Sequence, residues 1–214
     1  MLSRRQFIQR GIAASALAAC PPAAGALAAL DANRGEHRRE PHPFFKVLFD
    51  RNSAEGTAFG AEAARRGAAV CAVGADLGGV WLHDIEPRWK RGPAAIAGLT
   101  SGPHLFCLEL LARDYGLAVV YRVRHERASS GQFGHAVAGP EALCAQARER
   151  LGAAGHSWSE AAAALAMTCP VTHHPDAGIG LVDLTDRSRI ADAPLYSWVI
   201  APNSQARGLA VQGI

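Results

Sequence analysis

KVLFDRNSAEGTAFGAEAARRGAAVCAV, residues 46–73, determines how this chain folds. Residues 46–50 and 69–73 are short apolar runs of strand length. Between them, Ser53 is a suitable helix N-cap and Gly67 a suitable helix terminator. A strand, a helix and a strand at this spacing predict a βαβ unit with parallel strands and a right-handed crossover.

The residues that follow contain further helix and strand patterns. Pro103 to Tyr115 has the spacing of an amphipathic helix, and Ser157-x-x-Glu160 has the form of a capping box. Strands are expected at residues 119–124 and 133–138, joined as a hairpin by a turn at residues 129–131. A helix is expected at residues 140–151, and two more strands at 178–184 and 195–201. We therefore predict a three-layer α/β domain over residues 44–214, with a mixed sheet that begins with the parallel βαβ unit.

Residues 74–102 show little regular pattern. A segment this long is usually either functional or disordered. Trp81 and Trp89 lie within it, and large aromatic side chains argue against disorder. We therefore expect this segment to be an ordered functional loop.

Candidate catalytic residues follow from the sheet geometry. Ligands of open α/β sheets bind outside the carboxyl ends of the parallel strands. Asp50, Asp76 and His125 stand at or just beyond predicted strand ends, and His83 and His104 belong to the segment between strand and helix. Asp50, Asp76, His83 and His104 are therefore candidate acids or bases of one cleft.

The same cleft would bind its ligand through the irregular segment. Trp81 and Trp89 are candidate walls and Asp84 and Arg88 candidate polar contacts, while Thr100 and Ser101 precede a helix N-terminus able to hold a carboxylate or phosphate. The alternative is structural. Either hydroxyl would then only cap the helix, and the tryptophans would cover the sheet edge.

A second cluster contains possible metal ligands. Cys169, His173, His174 and Asp176 supply sulfur, imidazole and carboxylate donors. Their spacing matches no known metal motif. The alternative is a solvated loop that Pro170 and Pro175 make rigid. The usual phosphate-binding, dinucleotide-binding and nucleophile-elbow motifs are absent from the sequence.

The cysteines leave several disulfide states open. Cys71, Cys107, Cys144 and Cys169 form no C-x-x-C pair, and sequence does not choose among the three possible pairings. Cys71 lies in an apolar strand and Cys107 in an apolar helix, so both are expected to be buried free thiols.

The N-terminus carries a targeting pattern. Ser3-Arg4-Arg5-Gln6-Phe7-Ile8 precedes an Ala-rich stretch, and the first acidic residue is Asp31. This arrangement resembles a twin-arginine signal peptide, although Gln9 stands where that pattern usually has Lys. The resemblance implies export of a folded protein by the twin-arginine machinery, often together with a cofactor or a partner protein.

Two processing sites are consistent with this segment. Ala26-Leu27-Ala28 is an A-x-A site, which predicts a signal peptide over residues 1–28 and a flexible tether over 29–43. Alternatively, residues 17–20 resemble a lipobox with Cys20 as the acylated residue. Residues 11–30 contain too few large apolar residues for a transmembrane span.

The charge balance argues against nucleic-acid binding. The chain holds 22 basic and 19 acidic residues, and the three arginines before residue 29 account for the whole difference. The mature chain is formally neutral, so no nucleic-acid partner is expected. We predict an exported periplasmic protein that binds a small ligand or assists a co-exported, cofactor-bearing partner. The alternatives are a periplasmic enzyme using the same cleft and a metal carrier.

Overall fold

The computed structural model describes residues 43–171, 179–184 and 192–202. These ranges all belong to one compact unit, His42–Ile214. The proposed signal peptide, nearly all of the proposed tether, and the possible metal ligands His173, His174 and Asp176 lie outside the described residues.

The βαβ unit forms as predicted. Strand β1 (Lys46–Asp50), helix α1 (Ala54–Arg65) and strand β2 (Val70–Val73) follow one another, and the two strands are parallel. The Ser53 hydroxyl caps α1 by accepting a 2.8 Å hydrogen bond from the amide of Gly56. Local capping and a short apolar strand on each side therefore specify this unit.

The prediction of an irregular segment at residues 74–102 is wrong. Helix α2 occupies it as three consecutive segments, Gly78–Val80, the π-helical Trp81–Ile85 and Glu86–Lys90, and strand β3 (Ile96–Ser101) follows. Glycine has a low strand propensity, so Gly98 argued against a strand at these residues. The sheet nevertheless requires this glycine. A Cβ there would lie 2.6 Å from both the Leu48 carbonyl oxygen and the Trp198 ring. Tertiary packing overrides strand propensity here.

The later elements agree with the sequence patterns. Strands β4 (Leu117–Arg127) and β5 (Phe133–Pro140) form the predicted hairpin, whose turn contains Gly131 at φ +85°. The remaining elements are α3 (Gly102–Arg113), α4 (Glu141–Ala154), a short 3-10 turn (Gly155–Ser157), α5 (Trp158–Thr168), β6 (Ile179–Asp183) and β7 (Leu195–Pro202).

The strands form one mixed sheet in the order β2-β1-β3-β7-β4-β5-β6. Strand β1 pairs in parallel with β2 and β3, and all the other pairings are antiparallel. Because β7 runs against both of its neighbours, β1, β2, β3 and β4 all point the same way. Their carboxyl ends share one side of the sheet, which we call the carboxyl edge.

Apolar side chains pack on both faces of the sheet. One cluster, which includes Phe59, Tyr121 and Trp158, lies between the sheet and helices α1, α4 and α5. The other, which includes Leu108 and Trp198, lies between the sheet and helices α2 and α3. The three-layer α/β architecture is therefore confirmed. No helix within the described ranges is both long enough and apolar enough to cross a bilayer.

Two capping predictions are corrected. Ser101 and Ser157 occupy N-cap positions, but neither side chain makes a cap hydrogen bond, and Thr100 lies within β3. The capping box at α5 does not form because Ser157 stands at the end of a 3-10 turn with non-extended backbone angles. The Ser159 hydroxyl instead donates to Glu160 at 3.1 Å.

The prediction that Cys71 and Cys107 are buried is wrong for both residues, although both are free cysteines as expected. Cys71, Cys107, Cys144 and Cys169 are all free, but Cys107 is exposed and Cys71 only half-buried. Helix α3 buries Leu105, Leu108 and Ala112, and position 107 lies off that face. Cys144 and Cys169 are the buried thiols.

Candidate functional site

The two predicted carboxylates at the carboxyl edge hold local turns. Asp50 Oδ1 accepts a 2.8 Å hydrogen bond from the amide of Asn52, and Asp76 Oδ1 accepts a 2.7 Å bond from the amide of Gly78. Both are Asx-type contacts to the backbone two residues further on. Each carboxylate keeps lone pairs for another partner.

Ser101 and His104 do come together at the same edge. Ser101 Oγ lies 3.2 Å from His104 Nδ1, and His104 Nε2 lies 3.3 Å from the carbonyl oxygen of Ala75. A carbonyl oxygen only accepts, so the proton of a neutral His104 ring resides on Nε2. His104 Nδ1 is then an acceptor for the Ser101 hydroxyl proton.

Three of the predicted ligand-binding residues lie at the opposite end of the sheet. Asp84 forms a 2.9 Å ion pair with Lys46, which begins β1. Arg88 donates to the carbonyl of Gly92 at 2.8 Å, and Trp89 Nε1 donates to that of Ala94, just before β3, also at 2.8 Å. Helix α2 runs from the carboxyl edge toward the amino ends of the strands, so it separates these side chains from Asp76.

The predicted tryptophan walls belong to the apolar cluster beneath α2 and α3. The Trp81 and Trp89 rings pack edge to face at 5.7 Å, and Tyr115 lies within 6.0 Å of both. His83 is exposed. Thr100 is buried, and its hydroxyl accepts a 2.9 Å hydrogen bond from Trp198 Nε1. These contacts give Trp81, Trp89 and Thr100 structural roles.

A buried chain of polar side chains lies on the other face of the sheet. His125 Nε2 is 2.9 Å from Ser197 Oγ, and His125 Nδ1 is 2.8 Å from His135 Nδ1. All three residues are at most 3 % exposed. The His125 ring also stacks on Trp158, with ring centroids 4.3 Å apart. The two rings share one proton between their Nδ1 atoms, so one donates and the other accepts.

Both imidazoles are neutral at ordinary pH. Burial lowers the pKa of His125 well below its usual value, and the nearby His135 lowers it further. Burial alone lowers the pKa of His135 to about 4. Desolvation disfavours the charged form of a buried imidazole. The pair therefore offers hydrogen bonds without a net charge.

A cleft of about 220 Å³ opens above His125 at the carboxyl edge. We call it the α1–hairpin cleft, because it lies between the start of α1 and the β4–β5 hairpin. Its lining residues are Ser53, Glu55, His125, Arg127, Phe133, Asp192, Ala193 and Leu195.

Arg127 is the central charge of this cleft. Its Nη2 donates to Glu55 at 2.8 Å, and its Nε lies 3.9 Å from an Asp192 oxygen. Its guanidinium group also lies 4.9 Å from the centre of the Phe133 ring. A cation between two carboxylates and above an aromatic ring is thus held at the mouth of an otherwise partly apolar space.

A second, larger cleft of about 700 Å³ lies on the other side of Phe133. Its lining includes His135, Leu151, His156 and Leu184. Phe133 lines both clefts. His125 lines the α1–hairpin cleft, and His135 lines the larger one. The pair therefore forms buried polar surface for both.

Cross-strand register explains how the chain builds this site. Leu195 lies opposite Ser101 on β3 and opposite His125 on β4, and His125 lies opposite His135 on β5. Directly opposed residues of antiparallel strands project to the same face. Four distant positions therefore form one row of side chains across the sheet.

Sequence reasoning pointed to His125 as a polar residue near a strand end but missed its partners. His135 could have been found from the β5 alternation, since Phe133, His135 and Val137 share a face. No local signal identifies Ser197, Arg127 or Glu55, because their partners lie 72 residues away along the chain.

The possible metal cluster is testable only at its first residue. Cys169 is buried, and its thiol lies 3.7 Å from the Pro170 carbonyl oxygen. Within the described ranges, no group of three or more His, Cys, Asp or Glu residues has metal-binding geometry. The other predicted metal ligands lie outside those ranges.

Fold and cleft together define a three-layer α/β protein with a charged cleft at the carboxyl ends of its strands. The chain matches no known family, no curated protein and no solved structure.

Proposed function

We propose that this protein is an exported α/β protein that binds a small molecule in the α1–hairpin cleft. The observation that carries the proposal is the setting of Arg127, which lies between Glu55 and Asp192 above the Phe133 ring. A few convergent polar groups on an otherwise apolar lining are typical of small-molecule sites.

The location of the cleft supports the same proposal. It opens at the carboxyl edge, where open α/β sheets bind their ligands. Its floor contains His125, which is buried, neutral and held by hydrogen bonds on both ring nitrogens. A rigid, uncharged floor beneath a charged rim orients a ligand without a large reorganisation on binding.

The N-terminal resemblance supports a periplasmic location for this function. Residues 3–8 have the twin-arginine pattern, which implies that the domain is exported after folding. A co-exported partner is consistent with that route, so the domain serves either as a ligand-binding protein or as the ligand-binding accessory of such a partner.

Native mass spectrometry of protein purified from the periplasm tests ligand binding directly. Wild-type protein is expected to carry an additional mass, and Arg127→Met to lose it. Arg113→Met is the matched control, because Arg113 is a surface arginine of α3 whose partner among the described residues is the nearby Glu109, at 3.3 Å. An additional mass that persists on Arg127→Met excludes the α1–hairpin cleft as its site.

A second candidate function rests on the contact between Ser101 and His104. In an acyl-transfer reaction, Ser101 Oγ would attack the acyl carbon while its proton passes to His104 Nδ1, and the same proton would then pass to the leaving group. The Ala75 carbonyl fixes the required tautomer. Labelling by a fluorophosphonate probe that disappears in Ser101→Ala and in His104→Ala, but persists in Ser130→Ala, would support this activity.

A further inference from the structure

We infer that the molecule bound in the α1–hairpin cleft is a small zwitterion of the amino-acid class, carrying one carboxylate and one ammonium group. This inference rests on the proposed function and specifies its ligand. The cleft presents one cation and two anions, and the distances among them leave a place for each pole of such a molecule.

The positive pole of the site is Arg127. A guanidinium group carries five N–H donors, and Arg127 uses Nη2 for its 2.8 Å bond to Glu55. Its Nη1 has no hydrogen-bond acceptor among the residues that the structure describes. A carboxylate in the cleft would accept from this unused side of the fork, which suits carboxylates geometrically.

The negative pole of the site is Asp192. Its carboxylate lies 3.9 Å from Arg127 Nε, which is too far for a hydrogen bond, and its side chain is 67 % exposed. Glu55, in contrast, is fixed by its short bond to Arg127 and is 22 % exposed. Asp192 is therefore the carboxylate available to an ammonium group at the mouth, with Glu55 adding negative potential behind it.

The charges and the unused donor of Arg127 argue against the simpler ligands. Arg127, Glu55 and Asp192 together carry a net charge of −1, so a simple carboxylate or phosphate would bind Arg127 but would raise the negative charge of the site further. A simple amine would neutralise the charge of Asp192 but would leave Arg127 Nη1 without an acceptor among the described residues. Like charges at such distances are unfavourable in a partly desolvated site. A molecule with both groups on adjacent atoms satisfies Arg127 and Asp192 together.

The remaining lining sets the size and polarity of the rest of the ligand. Phe133, Leu195 and Ala193 supply apolar surface, and the His125 ring beneath them is neutral. The volume of about 220 Å³ lies below the range of drug-sized ligand pockets, about 300–1,000 Å³. We therefore expect an amino acid with an uncharged side chain of moderate size.

Titration calorimetry of the exported protein with a matched panel tests this inference. L-leucine is the probe, isocaproate lacks its ammonium group, and isoamylamine lacks its carboxylate. L-leucine is expected to bind at least about tenfold more tightly than either analogue, a difference of about 1.4 kcal/mol. Arg127→Met should weaken leucine binding and leave isoamylamine no weaker. Asp192→Asn should weaken leucine binding and leave isocaproate no weaker.

Arg113→Met again serves as the control and should keep the wild-type affinity for L-leucine. Thermal unfolding of each variant shows whether it is folded before its titration is interpreted. The inference is overturned if isocaproate or isoamylamine binds as tightly as L-leucine, or if no amino acid in a panel of uncharged side chains binds. If an additional mass is still lost from Arg127→Met in native spectra, only the ligand class is wrong. If no such mass exists either, the proposed function fails as well.

Discussion

His125 and His135 lie directly opposite each other on strands β4 and β5, and their Nδ1 atoms are 2.8 Å apart. Ser197 extends the contact from β7, so three strands are joined by side-chain hydrogen bonds inside the apolar layer. Each member of such a buried chain satisfies its neighbour, and the removal of one member leaves the next unpaired.

Replacing His135 should therefore destabilise the fold. His135→Leu introduces an apolar side chain of similar size but leaves His125 Nδ1 without its partner, which should cost about 1–3 kcal/mol in the free energy of unfolding. Urea denaturation measures this value. His156→Leu is the control, because His156 is exposed and its replacement should change stability by less than about 0.5 kcal/mol. Equal stability of the two variants would contradict the buried pair.

The same pair predicts a loss of stability in mild acid. Both histidines have lowered pKa values in the folded protein, about 4 for His135, while in the unfolded chain each takes up a proton near 6.5. Between these values the unfolded state binds more protons, so the free energy of unfolding falls as the pH falls. Each histidine should contribute about 1.4 kcal/mol per pH unit in that window.

Urea denaturation at several pH values between about 6.5 and 4 measures this slope. The carboxylates add their own dependence at the acid end, so the informative quantity is the difference between wild-type protein and His135→Leu. The variant should show the shallower slope by roughly one proton. Parallel profiles for the two proteins would mean that His135 titrates normally in the folded state.

The βαβ unit was predictable because its signals are local. Ser53 caps α1 and Glu62 pairs with Arg66 at 2.6 Å, both within a few residues along the chain. β3 was not predictable, because its glycine is required by Trp198, which belongs to a strand far along the chain. Strand identity at Gly98 is thus decided by a neighbour rather than by its own propensity.

The candidate site divides in the same way. The rule that ligands bind at carboxyl ends of strands directed attention to His125, which lines the described cleft. The same rule wrongly grouped Asp76 with Asp84 and Arg88. Helix α2 places Asp84 and Arg88 near the amino end of β1 instead, and the sequence did not predict this helix. The pairing of Arg127 with Glu55 depends on strand order, which composition and spacing do not encode.

Trp89 should contribute mainly to stability. Its side chain is 2 % exposed, and its indole N–H donates to the Ala94 carbonyl. Trp89→Ala should therefore cost about 3–5 kcal/mol in the free energy of unfolding, the range for a large buried aromatic. Trp81→Ala should cost less, because Trp81 is only half-buried. If Trp89→Ala unfolds like wild type but loses its ligand, the ring belongs to a binding site instead.

Export should depend on the arginine pair. Replacing Arg4 and Arg5 together with Lys preserves the charge but removes both guanidinium groups, so precursor should accumulate in the cytoplasm. Cell fractionation and immunoblotting measure the distribution. The matched control replaces Arg38 and Arg39 with Lys, a second arginine pair outside the signal, and should be exported normally. Normal export of the first variant would contradict the assignment of residues 1–28 as a twin-arginine signal.

The free thiols should differ widely in reactivity. Cys107 is exposed, whereas burial raises the pKa of the Cys169 thiol to about 12 and also raises that of Cys144. Thiolate is the reactive form, so a chromogenic disulfide reagent should label Cys107 first and Cys144 and Cys169 only on unfolding. Cys107→Ser should remove the fast phase and leave the slow one. Because all of these thiols are reduced, denaturation without reductant should expose them fully. A missing slow phase would show that the buried cysteines form a disulfide in the purified protein.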